Sequence, residues 1–278
     1  MKFTRQSLRK DLDRLGLRPG DLVMVHASVR AIGPVFGGPD EIHLAVEDAV
    51  SPGGTVMMVV GCPNGTDDVG RGIHTAEEEA RIFAHQPVFD PKTARANRDV
   101  GTLAEFFRSW AGTLCSDSSA RVAARGTRAA WLTHTHPLNY PFGKGTPYEK
   151  LVEARGKVLL LGSDHDEVTL MHYPEHVADF ADKIVVRYRM PVLRNGRREW
   201  VDVEEYDSSN GAHANWPERF FARIVDDFIA QNAGTARCAV GKVGDGDSFL
   251  LDAAGLVEFA IPVMERTARG LPSDAPLR

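Results

Sequence analysis

Apolar positions recur along this chain in two periods, and their order predicts alternating helices and strands. Leu8, Leu12 and Leu15 fall at helical spacing behind Thr4, which predicts a capped helix over 4–15. Pro19-Gly20 turns the chain into D-L-V-M-V-H (21–26), a short apolar run with the length of a buried strand. Pro39 with the acidic Asp40 and Glu41 opens a helix to about Val50, and Ser51-Pro52-Gly53-Gly54 then turns into a strand over 55–60. Strand and helix in alternation imply an α/β fold with parallel pairs.

The middle of the chain is less regular. Residues 61–97 are polar and show no period, and a loop of that length is usually functional or mobile. Asp99 reads as the cap of a helix running through Ala104 to Trp110, and Val122 to Ala124 as a short strand. The stretch 134–148 is rich in turns, with Pro137, Pro141, Gly143, Gly145 and Pro147. Val158 to Leu161 predicts a buried strand that stops at Gly162. Residues 184–193 and 199–203 form a hairpin around Asn195-Gly196, a type I′ turn sequence. Pro217 opens a helix to Ile229, and two short strands around 241–246 and a helix to about Arg266 close the chain. No repeat, biased tract or linker divides the sequence, so 1–278 reads as a single domain or two intimate subdomains.

Composition narrows the class. With 278 residues, 43% hydrophobic and 26% charged, the chain suits a soluble globular protein with a large core. No apolar run is long enough to span a membrane, and the polar start M-K-F-T-R-Q-S-L-R-K-D-L lacks the apolar centre of a signal peptide. Cys62, Cys115 and Cys238 match neither a zinc spacing nor an even disulfide set, so a reducing cytoplasm is the expected location. The net charge of −5 speaks against a nucleic-acid partner and suits a cationic one.

The densest candidate chemistry is T-L-M-H-Y-P-E-H (169–176). It lies one loop beyond the strand ending at Gly162, where open α/β sheets place their ligands. His172 and Glu175 are three apart, on one face of a helix. A histidine takes a proton near neutral pH, and a carboxylate beside it orients the ring or meets a cation. The same letters fit a zinc hydrolase, with His172 and His176 as ligands and Glu175 as base. Pro174 counts against that, because a helix starting near Tyr173 removes the i, i+4 geometry, and no third ligand is marked. His26-Ala27-Ser28 ends the first strand, where backbone N–H groups and a hydroxyl can hold phosphate or thioester oxygens. G-P-V-F-G-G-P is not a dinucleotide fingerprint, and no P-loop or nucleophile elbow occurs. Acidic residues gather at Asp67-Asp68 and in V-D-V-E-E-Y-D, with Glu204, Glu205 and Asp207.

Several segments in order resemble the antibiotic N-acetyltransferase family. They are V-H-A-S-V-R-A-I-G (25–33), V-F-G-G-P, S-P-G-G-T, F-D-P-K-T-A-R (89–95), L-A-E-F-F-R, T-L-M-H-Y-P-E, V-E-E-Y-D and G-K-V-G-D-G-D (241–247). The likeness runs from about Ser7 to Arg266. It implies a mixed central sheet flanked by helices, distinct from the common acetyltransferase fold. It also implies acetyl-CoA as co-substrate, the 3-amine of a 2-deoxystreptamine aminoglycoside as acceptor, and no metal. On this resemblance His172 is the general base, with Glu175 beside it. His26, Ala27, Ser28 and Val29 border the CoA arm, with Ser116 and Thr169 on the cofactor side. Asp67, Asp68, Glu175, Glu204, Glu205 and Asp207 meet the acceptor's ammonium groups. The chain departs from its relatives at Cys115, where an arginine usually precedes the serine equivalent to Ser116. A family acyltransferase for another small amine, and a non-enzymatic binding protein, are the rival readings.

Overall fold

Side chains on successive strand residues point to opposite faces, and here both faces are apolar, so the sheet carries a core on each side. The computed structural model describes residues 2–62 and 68–272. Its strands are β1 (Leu22–Ala27), β2 (Thr55–Val59), β3 (Leu114–Cys115), β4 (Val122–Gly126), β5 (Lys157–Leu161), β6 (Val185–Arg194), β7 (Arg197–Tyr206), β8 (Cys238–Val243) and β9 (Gly246–Asp252). The helices are α1 (Arg5–Leu15), α2 (Val29–Ile32), α3 (Asp40–Val50), α4 (Ala76–His85), α5 (Thr102–Ser109), α6 (Ala129–Thr133), α7 (Pro147–Glu153), α8 (His172–Val177), α9 (Phe220–Asn232) and α10 (Ala253–Ala268). A seven-stranded sheet runs β3-β4-β2-β1-β5-β9-β8. β1 pairs parallel with β2 and β5, while β4, β3, β9 and β8 join antiparallel. The sheet is therefore mixed, as the sequence led us to expect.

Alternation assigns the faces. Leu22 and Met24 of β1, with Val158 and Leu160 of β5, enter one core; Val23, Val25, Leu159 and Leu161 enter the other. α1, α3 and α5 cover the second core with Leu8, Leu12, Val46 and Phe107. α6, α7, α9 and α10 cover the first with Leu132, Leu151, Phe228 and Leu256. β6 and β7 form a separate two-stranded sheet. Asn195 and Gly196 both have positive φ (51° and 73°), as the type I′ turn requires. Phe89 extends this hairpin: its N–H donates to Pro191 O at 2.7 Å and its carbonyl accepts from Leu193 N at 2.8 Å.

Three local expectations change. Residues 61–97 contain α4, held by a capping box between Thr75 and Glu78, yet α4 buries no residue. A helix with no buried face leaves no apolar period to read. Asp99 does not cap α5; it sits in a short 3-10 turn (Arg98–Val100), and Gly101 precedes the helix. α9 begins at Phe220 behind a left-handed Arg219, three residues later than Pro217 suggests. β3, α6 and α7 were also absent from the sequence reading.

Gly162 ends β5 with φ +61°, and a Cβ there would lie 2.5 Å from Ala31 Cβ. Gly196 has φ +73° with nothing within 4 Å. Gly162→Ala should therefore lower Tm well beyond the strain of about 1–2 kcal/mol expected for Gly196→Ala. Equal Tm losses in thermal melts would contradict the close packing of the β5 end on α2.

Candidate active site

The parallel register sets Val25 against Leu159, His26 against Leu160 and Ala27 against Leu161, so β1 and β5 end together. β2 and β5 lie on opposite sides of β1, which makes this end the reversal point where α/β sheets bind ligands. Ser28 N–H donates to Leu161 O at 2.9 Å, and Ser163 Oγ donates to His26 O at 3.3 Å. Ser28 Oγ accepts from Ala31 N at 3.2 Å and so caps α2. The turn of the β8–β9 hairpin docks on α2, with Asp245 N donating to Ile32 O at 3.0 Å. His26 Nε2 is buried without a partner among the described residues, and burial lowers its pKa to about 4. The ring is thus neutral at pH 7.

Of the predicted cofactor residues, His26, Ala27, Ser28 and Val29 lie together at this end. Thr169 stands in the 3-10 turn just before α8, its hydroxyl donating weakly to Glu167 O at 3.4 Å. Ser116 does not join them. It is fully buried, and its Oγ accepts from Val122 N at 3.0 Å. His136 Nε2 must carry a proton to meet Pro141 O at 2.7 Å, so its Nδ1 accepts from the Ser116 hydroxyl at 2.8 Å. Its hydroxyl thus ties β3 to β4 and to His136.

α8 begins at His172, and Pro174 sits in its first turn, where a proline is tolerated. His172 Nδ1 lies 2.7 Å from Glu175 Oε2. Glu175 is 1% exposed, and burial pushes its carboxyl above the ordinary value of 4.5, opposed by His172 and Lys183. An ionised carboxylate only accepts, so the pair places a proton on Nδ1 and leaves Nε2 with a lone pair. Among the described residues no protein group bonds Nε2. The ring is held by Phe142 (centroids 4.6 Å) and by Phe221 edge-on (4.9 Å).

His176 follows one turn later but faces Tyr206 (4.8 Å) and Tyr140 (6.0 Å), with neither ring nitrogen bonded. Burial lowers its pKa to about 3. Glu175 is committed to His172, and among the described residues no three His, Cys, Asp or Glu side chains converge on a metal position. The geometry therefore gives the zinc reading no support.

The acidic residues divide. Asp67 lies outside the described residues. Asp68 Oδ2 pairs with His74 Nε2 at 2.7 Å. Asp207 is buried, accepts from Asn210, and pairs with Arg71 at 3.0 Å, which brings the long loop against the end of the hairpin. The strand period separates Glu204 from Glu205. Glu205 is buried on the side of Val203. Glu204 turns the other way, accepting from Tyr140 Oη at 2.5 Å and Arg187 Nε at 2.6 Å. Its backbone carbonyl also takes Tyr140 N–H at 2.9 Å, fixing Tyr140 at φ 50°. Glu204 thus holds the turn that carries Phe142 onto His172. Most of the predicted acids already have partners within the protein: Asp68 has His74, Glu175 has His172, Asp207 has Arg71, and Glu204 has Arg187 and Tyr140. Sequence reasoning missed Phe142, Phe221, Tyr140 and Arg71: Tyr140 and Phe142 lie in a turn and Arg71 in G-R-G, where no period exists, and Phe221 sits in the first turn of α9 with nothing local to pair it with His172.

A cavity of about 600 Å³ opens between the hairpin and the 137–139 turn, and none of the predicted site residues lines it.

The chain matches the family model described as aminoglycoside 3-N-acetyltransferase over residues 24–265. It is 42% identical over 252 residues to aminoglycoside N(3)-acetyltransferase III of Pseudomonas aeruginosa, covering 90% of this chain and 89% of that one. It is 36% identical to aminoglycoside N(3)-acetyltransferase IX of Micromonospora chalcea, covering 94% and 93%. Among solved structures, AAC-IIIb in a binary complex with CoASH superposes with a TM-score of 0.89 at 38% identity, covering 99% and 100%. Sisomicin-bound AAC-VIa gives 0.86 at 34%, covering 95% and 98%.

Glu175→Gln separates function from stability. A carboxyl with a raised folded-state pKa favours folding below its ordinary value, and that contribution is lost as pH rises through the folded value. At pH 7.5 the buried charge is therefore a cost, and Tm of Glu175→Gln should not fall. Turnover should drop by about 10²-fold or more, because the amide no longer fixes the tautomer of His172. A lowered Tm with unchanged kcat would assign Glu175 a structural role alone.

Proposed function

The chain belongs to the aminoglycoside 3-N-acetyltransferase family, and we propose that His172 is the base of the family reaction in it. Its activity is transfer of the acetyl group of acetyl-CoA to the 3-amino group of 2-deoxystreptamine aminoglycosides, which confers resistance to them. The observation that carries the role of His172 is its open Nε2 beside an Nδ1 bonded to Glu175.

The amine is mostly protonated at pH 7, and only its neutral form attacks. As nitrogen bonds to the thioester carbon, its proton passes to His172 Nε2. The tetrahedral intermediate then collapses, the C–S bond breaks, and the proton on His172 returns to the leaving sulfur, giving CoA thiol. Phe142 and Phe221 hold the ring in one orientation throughout. His26 to Val29, at the joint end of β1 and β5, border the CoA arm; Ser28 keeps its hydroxyl proton for the oxyanion, since its oxygen accepts from Ala31. Thr169, at the turn before His172, lies on the same side. Asp68, Glu175, Glu204, Glu205 and Asp207 draw the acceptor's ammonium groups through their summed field, several of them while paired within the protein.

The partners inferred are these two small molecules, with a cytoplasmic location. Among the described residues no helix is long and apolar enough to cross a membrane. Three cysteines that form no even disulfide set support the cytoplasmic reading, and the mild net charge of −5 suits a cationic small molecule.

CoA-thiol release from acetyl-CoA against a panel of aminoglycosides tests the proposal. Wild type should turn over 2-deoxystreptamine compounds, and His172→Ala should fold yet lose about 10²–10⁴-fold in kcat. Near-wild-type turnover in the folded variant would remove His172 from the mechanism. Preference for an unrelated amine would favour the broader acyltransferase reading.

A further inference from the structure

Arg121, immediately before β4, is a fully buried cation outside the site described above. Its Nε donates to Gly61 O at 3.0 Å, Nη1 to Pro91 O at 3.1 Å, and Nη2 to Ala94 O at 2.6 Å and Arg95 O at 2.9 Å. Among the described residues it makes no ion pair. A buried charge is costly unless it is solvated by the protein, and here four carbonyl dipoles do that work. All four come from the two stems of the long 61–97 loop, the outgoing stem at Gly61 and the returning stem at Pro91 to Arg95. The backbone carbonyl of Arg121 accepts from Val60 N and Gly61 N, each at 3.0 Å, and Asn97 N closes the loop on Val60 O at 2.8 Å.

What hangs from these stems is the acceptor side of the molecule. Phe89, 5.8 Å below the guanidinium carbon, continues the hairpin through its bonds to Pro191 and Leu193. Arg71 of the same loop pairs with Asp207 at the hairpin's end. The 26–29 segment, by contrast, is fixed by Leu161, and the end of α2 at Ile32 by the β8–β9 turn; among the described residues neither bonds Arg121. We propose that Arg121 is a positioning residue that fixes the 61–97 loop and the hairpin on the central sheet, and so sets aminoglycoside recognition without acting on the acetyl-CoA site. The proposal rests on the acetyltransferase reading for its substrate, and on the bonding pattern alone for its structural content.

The chemistry singles out arginine. Five donors in a planar fork reach both stems at once, whereas a lysine ammonium is a point donor on a different reach. The test compares Arg121→Lys and Arg121→Ala with wild type, each at a temperature well below its Tm. Arg121→Lys should raise the aminoglycoside KM by about tenfold, since small displacements of a positioned substrate have large effects, and leave the acetyl-CoA KM within about twofold. In Arg121→Ala, low millimolar guanidinium should partly restore the aminoglycoside KM by refilling the cavity. Hydrogen exchange in both variants should quicken at 89–97 and 185–206 and stay unchanged across β1. Equal shifts in both KM values, or an unchanged aminoglycoside KM in folded Arg121→Lys, would overturn the proposal. Absence of turnover in wild type would instead count against the acetyltransferase reading, and the exchange pattern would still decide the role of Arg121.

Discussion

The hydrogen bond between His172 Nδ1 and Glu175 is the constraint around which the catalytic half of the molecule is arranged. A carboxyl at 1% exposure has lost its water, and the imidazole N–H is its principal compensation. The pair in turn needs a helix that begins at His172, since only there are residues three apart neighbours with Pro174 between them. Phe142 and Phe221 then close on the ring from the 137–143 turn and from α9. Each is held by contacts outside the site: Tyr140 and Glu204 for the turn, Asp166 to Ala222 N for α9. A single bond thus gathers elements from distant parts of the chain.

On the proposed reading, the two substrates meet at that ring. The joint end of β1 and β5 presents the 26–29 segment, where glycine at 162 lets α2 pack against the strand. The hairpin and the 61–97 loop approach from the other side, joined through Phe89 and through Arg71–Asp207. The 26–29 segment thus belongs to the central sheet, while the hairpin forms a separate two-stranded sheet joined to the 61–97 loop.

Much of this was legible in the sequence, for identifiable reasons. Strands with apolar residues on both faces announced β1, β2 and β5, and Asn195-Gly196 announced the hairpin. His172 and Glu175 were found because their spacing matches a helix face. The sequence said less where structure rests on caps or on tertiary contacts. α4 has no buried stripe, and only Thr75 with Glu78 marks it. Ser116 was singled out only by the family resemblance; that its hydroxyl bonds His136, twenty residues on, is a tertiary contact with no local signature. Adjacent acids in E-E-Y-D suggested one patch, but alternation along β7 turns Glu204 away from Glu205. Arg121 carried no signal, because its acceptors are carbonyls at 60, 30, 27 and 26 residues' remove, which no local pattern encodes.

The account stands on which nitrogen of His172 holds the proton. Burial raises the carboxyl of Glu175, against the pull of His172, which makes the position of the shared proton the decisive quantity. Nitrogen-15 NMR of the imidazole in the free enzyme measures it directly. The account predicts a protonated Nδ1 and a bare Nε2, with the Nε2 signal moving toward the protonated position when a bound aminoglycoside amine reaches it. A bare Nδ1 with Nε2 protonated would mean that Glu175 carries the proton, and His172 as placed here would have no lone pair with which to accept one from the substrate.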